Sequence, residues 1–526
     1  MPDQLKLRTV ANVTLTNSEV DTNFSSLFYS ASMSGSFLVF STTGSSTKAV
    51  TISPINLGLG NQVVSSGRWS HAQGYYVTAS GDYSHAEGVA THASGSYSHA
   101  EGDGARAIGN GSHAEGYFTS ASGNISHAEG VYTKALAQGS HAEGASTITI
   151  GEYSHAEGSG TIASASYSHA EGASTHASGS YSHAEGDTTR AIGNGSHAEG
   201  AATIASGSHS HAEGQNTTTS GSFSHAEGAS TISSGNSSHA EGAGTQAIGT
   251  ATHAEGAGTQ AIGTAAHTEG YNTTASGSYS HAEGESTQTK GNSSHAEGVN
   301  TITSGSYSHA EGDGTRAIGN SAHAEGTATI ASGSHSHAEG GATQTTGSIS
   351  HAEGDTTRAV GYAAHSEGTI TVALGQSSHA EGQSTVAFGT GSHAEGQSTV
   401  SSGSHSHAEG FFTVASGSYQ HVQGQFNILS SAQSAFILGN GTSTSARSNL
   451  IFASGSEVQI TGSLLVTGST TLNNVLIITP RTTTPTQATT ATGSIMLSGS
   501  SGALLNLYVY TGTGALGNGW SKITIS

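Results

Sequence analysis

The feature that most restricts the fold of this 526-residue chain is a histidine that returns every fourteen residues from His71 to His421, 26 times, with no insertion breaking the register. It sits in the pentapeptide Ser-His-Ala-Glu-Gly or a near variant, and the glutamate two residues on is present in 24 of the 26 copies. Gln73 and Gln423 replace it at the two ends, as befits terminal repeats that meet a different neighbour. A period this strict marks a chain of identical small units, each stacked on the one before.

Each fourteen divides into two sevens, as in SHAEGVA (Ser84–Ala90) followed by THASGSY (Thr91–Tyr97). Each half reads small, variable, Ala, variable, Gly. That alternation is strand periodicity, and a Gly with two further residues closes a tight turn, so one repeat is one coil of two short strands. Gly88, Gly95, Gly102 and Gly109 are the expected turn residues. A helical reading fails because a Gly at every seventh position costs about 1 kcal/mol each relative to Ala. The prolines, Pro2, Pro54, Pro480 and Pro485, all lie outside the array, as a hydrogen-bonded ladder requires.

The alternation assigns faces. Ser84, Ala86, Thr91 and Ala93 share one parity, and their equivalents are almost always Ser, Thr or Ala, which fits a narrow interior. The opposite parity is uniform on one strand, His then Glu, and mixed on the other, such as His92 with Ser94 or Arg106 with Ile108. The mixed face reads as solvent-facing, its large turn residues (Tyr97) folding over small strand residues (Ser94) and its Asp103 and Arg106 forming an exposed pair. The uniform face reads as an interface, because every coil then meets the same surroundings. Its members include His85, Glu87, His99, Glu101, His113, Glu115, His127, Glu129, His183, Glu185, His309 and Glu311. Where copies meet along that face, each layer brings together one such pair per chain, a polar seam that sets register more surely than it adds stability. Pairing of this kind is expected to raise the histidine pKa and lower that of the glutamate.

Composition narrows the function. There are 35 acidic against 13 basic residues and a formal net charge of −22 with histidine neutral, which argues against nucleic-acid and anionic-lipid partners. Protonating all 31 histidines would reverse the sign, so the charge is conditional on pH. The absence of cysteine excludes disulfides and thiolate metal sites. Neither a basic-then-apolar leader nor a run of about 18 apolar residues occurs, so neither a secretion signal nor membrane insertion is expected. Many copies of one His–Glu dyad form a lattice rather than a catalytic pocket, so no enzyme and no organic cofactor is expected. A metal ion is the sharper alternative for histidine. His209 with His211, His335 with His337 and His405 with His407 form His-x-His pairs, which associated chains could gather around an ion, unless the first of each merely fills the turn slot usually held by Tyr.

The half-repeats TRAIG (Thr189–Gly193), TVALG (Thr371–Gly375) and TVAFG (Thr385–Gly389) resemble the heptad head repeats of trimeric autotransporter adhesins. That resemblance covers roughly two thirds of the chain and implies a left-handed parallel β-roll associating as a homotrimer. In that family the uniform pair facing the axis is apolar, whereas here it is His and Glu. The His–Glu strand remains the favoured inner one, because Arg106, Lys134 and Gln246 on the other fit poorly at an axis.

The ends point elsewhere. LTNSEVDTNFSSL (Leu15–Leu27) carries a Thr16/Glu19 capping box and then Val20, Phe24 and Leu27 on one face of a short helix. It resembles an N-terminal segment of tailed-bacteriophage fibre proteins, which implies attachment to other fibre or virion proteins. Ala435–Ser469 resembles a phage-fibre neck. Val509 and Tyr510 before a Gly-rich turn, with Trp520 after it, read as a small β tip, where Tyr508, Tyr510 and Trp520 are candidate receptor-binding residues. The expected organisation is therefore an attachment segment (1–66), a β-roll shaft (67–424), a neck (425–475) and a linker with tip (476–526). The resemblance implies a non-enzymatic, all-β fibre on a virion, assembled in the host cytoplasm, that contacts a host-surface glycan or protein. A trimeric cellular adhesin and a purely structural spacer are the alternatives.

Overall fold

The computed structural model describes residues 30–34, 37–41, 56–465, 467, 495–498, 506–510 and 520–523. The expected helix with Val20, Phe24 and Leu27, and the expected strand Ala49–Ser53, lie outside them. The described chain is all-β, without a helix, and none of it is a helix long and apolar enough to cross a membrane.

The repeat winds into a parallel β-solenoid of about 27 turns. In each coil a five-residue strand carries the histidine, and a two-residue strand returns on the other side. His85–Val89 pairs in register with His99–Asp103, so that His85 lies against His99 and Glu87 against Glu101, while His92–Ala93 pairs with Arg106–Ala107. Two parallel ladders result, one for each half-repeat. The long-strand ladder starts one coil before the first motif histidine, at Asn56–Asn61, where Leu57 is in register with His71.

The interior is as narrow as the alternation requires. Ala86, Thr91 and Ala93 are fully buried, Ser84 nearly so, and the bulkiest wholly buried side chains beyond Thr (Val77, Gln420, Val422, Asn427 and Ile437) lie near the two ends of the array. Such a core buries little apolar surface per coil, so hydrogen bonding between coils carries more of the stability than usual. The serine of each motif has a defined task. Ser98 Oγ, for example, donates to the Gly95 carbonyl at 2.6 Å, closing the turn that precedes its strand.

The turns differ from the expectation in one respect. The left-handed residues are the ones two after each glycine, Ala90 (φ 54°) and Tyr97 (φ 61°) among many, and they are seldom glycine. Their N–H groups are held by the preceding coil: Ala90 donates to the Tyr75 carbonyl and Tyr97 to that of Asp82, both at 2.8 Å. The motif glycines serve close stacking instead. A Cβ on Gly88 (φ 112°) would lie 1.9 Å from the Gly102 oxygen, and one on Gly95 would lie 1.9 Å from that of Gly109. Gly102 and Gly109 are bounded in the same way by Gly116 and Gly123.

At its C-terminal end the long-strand ladder takes one further parallel strand, Phe436–Asn440, which pairs with His421–Gln425. Asn449–Ser454 then adds antiparallel and ends the repeat pattern. Amide side chains satisfy the backbone that the last coil leaves open. Gln420 accepts from the N–H groups of Ser416 and Gly417 and donates to the carbonyls of Ser430 and Ala432, while Asn427 bonds both backbone groups of Val414. Covering an edge in this way guards against strand addition by another chain.

This first compact unit ends at Gln459, and Ile460–Ser526 forms a second. The second contains a three-stranded antiparallel sheet of Ile495–Ser498, Asn506–Tyr510 and Trp520–Ile523, which places Tyr508 opposite Lys522 and Tyr510 opposite Trp520. Near the N-terminus, Ser30–Ser34 pairs antiparallel with Phe37–Ser41.

Candidate functional site

The in-register pairing of the long strands stacks one imidazole per coil into a continuous column. From His71 to His309 successive rings lie within 12° of parallel, with centroids 4.5 to 4.9 Å apart. The rings tilt by 43° and 40° at His309–His323 and His323–His337, realign as far as His407, and end edge-on, with His421 at 81° to His407. The glutamates form a second column beside the first. His85, Glu87, His99, Glu101, His113, Glu115, His127, Glu129, His183, Glu185, His309 and Glu311 all belong to this two-column face.

Within a coil, imidazole and carboxylate are near neighbours without being hydrogen-bonded. Where the two approach within 4 Å, Nε2 to Oε2 distances run from 3.4 Å at His85–Glu87 to 4.0 Å at His309–Glu311, too long for an N–H···O bond. Every ladder Nε2 from His71 to His407 is hidden from solvent and has no hydrogen-bond partner in the chain. At the C-terminal end the carboxylates also reach forward one coil, Glu381 Oε1 to His393 at 3.9 Å and Glu395 Oε1 to His407 at 3.8 Å.

This environment reverses the pKa shift expected of the histidines. Burial first, and the flanking imidazoles second, push His99, His127, His141 and His197 below the usual histidine range, and the glutamates only partly offset this. At His281, burial and the imidazoles of His267 and His295 lower it to about 4. The strongest influence on these five rings after burial is thus a histidine fourteen residues away, rather than the glutamate two away. Among the glutamates, a shared hydrogen bond with Glu381, together with burial, raises Glu395 to about 7, and the same contact lowers Glu381.

The His-x-His pairs are divided between two columns. His211, His337 and His407 stand in the ladder, whereas His209, His335 and His405 occupy the left-handed turn slot at φ 55°, 57° and 54°. There His209 stacks on Phe223 and His405 on Tyr419, each with centroids 5.1 Å apart. The turn tyrosines likewise stack from coil to coil, Tyr83 on Tyr97 at 4.9 Å, with Tyr97 still 68 % exposed, so they form a rail along the surface and do not fold over the small strand residues. No ion pair joins Asp103 to Arg106 among the described residues; the ion pairs there are all between histidine and glutamate.

The groupings with metal-ligating geometry lie on the ladder itself. His113, Glu115 and His127 bring one ligand atom each to within 4.8 Å of the others, the four triads that follow coil by coil to His183 do the same, and 12 more such groupings occur among the described residues. Sequence reasoning sought metal at the His-x-His pairs because it compared neighbours along the chain, whereas the ligands that meet are fourteen residues apart. The class that fold and site define is a parallel β-solenoid with an unbroken imidazole–carboxylate ladder on one face. No protein-family model matches the chain, and no curated protein shows significant similarity to it.

Proposed function

We propose that the chain is the subunit of a non-enzymatic homotrimeric fibre that joins along its His–Glu faces and serves a tailed bacteriophage in attachment to the host surface. The observation that carries this reading is the contrast between the two sheets. One presents the same His–Glu pair for 24 coils, and the other changes residue at almost every coil. A face held constant over that distance meets constant surroundings, which a second and third copy in register supply. A stack of 26 histidine-bearing strands at about 4.8 Å spacing makes a shaft of roughly 120 Å, long enough to hold a recognition element away from an anchor. The adhesin-like half-repeats and the fibre-like end segments agree with this use. In the proposed fibre the N-terminal segment docks on other fibre or virion proteins. The C-terminal sheet, with Tyr508, Tyr510 and Trp520, contacts a glycan or protein of the host, and many weak contacts act together across three chains.

Binding of the intact labelled protein to a glycan array and to bacterial cells tests recognition. Saturable binding that weakens in a Tyr510→Ala, Trp520→Ala variant supports the fibre reading. Absence of binding to every glycan and cell type leaves the chain as a spacer.

A further inference from the structure

We propose that the histidine–glutamate ladder is a multisite binding surface for divalent transition-metal ions of the zinc type, each held by a histidine, the glutamate two residues on and the histidine of the next coil. Three observations converge on it. The first is the ligand set: imidazole nitrogen with carboxylate oxygen suits zinc-like ions, whereas calcium and magnesium sites are built from oxygen alone.

The second is geometry. An ion with bonds of about 2.0–2.2 Å to nitrogen and oxygen spans two ligands roughly 3.4 Å apart at a tetrahedral angle. The Nε2–Oε2 distance is 3.4 Å at His85–Glu87 and 3.5 Å at His141–Glu143 and His169–Glu171, so these pairs already stand at that separation. The second imidazole lies within 4.8 Å of both, and closing the triad requires its ring to turn out of the stack and bring its hidden Nε2 to the ion. The Nε2 atoms have no competing hydrogen bond to give up.

The third is charge. The ladder gathers 24 carboxylates on one face of a chain whose formal net charge is −22, and among the described residues no lysine or arginine pairs with them. Divalent ions spaced along the column would relieve that repulsion. Because neighbouring triads share a histidine, they cannot all fill at once, and the recurring triads hold about eight ions per chain at alternate coils. All three ligands come from one chain, so the inference does not rest on the association proposed above.

Equilibrium dialysis of the full-length protein against micromolar zinc chloride near neutral pH, with zinc counted by elemental analysis, tests the inference. About eight zinc ions per chain are expected. Replacing His209, His335 and His405 with Ser leaves that number unchanged. Replacing Glu115, Glu129, Glu143, Glu157 and Glu171 with Gln, the residue already found in this column at Gln73 and Gln423, lowers it by about two or three with an unchanged far-ultraviolet circular dichroism spectrum. Cobalt used as a spectroscopic probe gives the intense visible bands of a tetrahedral site. Three or fewer ions per chain, loss of binding in the Ser variant, or full stoichiometry in the Gln variant overturns the inference.

Discussion

Replacing Gly228 with alanine puts the stacking argument under its greatest strain. Gly228 is the motif glycine of a mid-array coil, with φ 109°, and an added Cβ would lie 2.1 Å from the Gly242 carbonyl oxygen. Tolerable contacts begin near 3.0 Å, so the two coils must part by most of an ångström, in a ladder whose spacing is set by hydrogen bonds of about 2.9 Å. Overpacking of this kind costs about 1–3 kcal/mol, and holding a non-glycine residue at such a φ adds about 1–3 kcal/mol, so Gly228→Ala should lose roughly 4 kcal/mol. Gly244→Ala is the matched control. Its φ is 67°, nothing lies within 4 Å of the added carbon, and Ala90 and Ala202 already occupy the same slot in other coils. That change should cost only the left-handed conformation itself, about 1–2 kcal/mol. Guanidinium unfolding reads the two differences, and hydrogen exchange locates the loss, which in a solenoid centres on the altered coil and its neighbours. A Gly228→Ala protein as stable as the Gly244→Ala protein would refute the close-approach account of the motif glycine.

Two further outcomes follow from the interior and from the ladder. Thr287, just before the strand Gln288–Thr289, and Thr289 within it are both fully buried, yet Thr289 donates to Ser280 Oγ at 2.9 Å while the Thr287 hydroxyl has no partner. Thr287→Val should therefore stabilise by about 1 kcal/mol and Thr289→Val should destabilise by about as much, as denaturant midpoints will show; equal effects would mean the two hydroxyls are alike. The pH dependence follows from the lowered histidines: those of the ladder face other ladder imidazoles and the glutamate column, and His92 and His176 on the other sheet, lowered by burial, face Arg106 and Arg190. Their folded pKa lies below the unfolded value of about 6.5, so the unfolded chain binds more protons, and stability is complete above that pH. It is lost as pH falls from there towards about 4, the folded value of His281. Melting temperatures should fall from pH 7.5 to pH 5, and a profile rising toward acid would restore the pairing-dominated view.

Much of the fold was legible because two periods are written plainly in the chain. The period of fourteen fixes the coil, and the period of two within Ser84–Ala86 and Thr91–Ala93 fixes the inward residues, which are buried as the alternation requires. The left-handed turn residue was not legible. Its slot holds Ala90, Phe118, Thr188 and Asn216 alike, because the conformation is imposed by a hydrogen bond to the preceding coil and leaves the side chain free. The motif glycines were visible as invariant, but invariance alone does not distinguish a turn from a close approach. At the ladder, the sequence displayed His beside Glu and invited a pair. The decisive neighbours, the imidazoles above and below, become adjacent only once the coil is closed.

The central claim is that the His–Glu face joins copies of this chain. Static light scattering of the purified full-length protein, read against the 52.2 kDa chain mass, tests it most directly. The account predicts a species of three chains that persists on dilution. A stable monomer across that dilution series would leave the ladder facing solvent and contradict the fibre assembly.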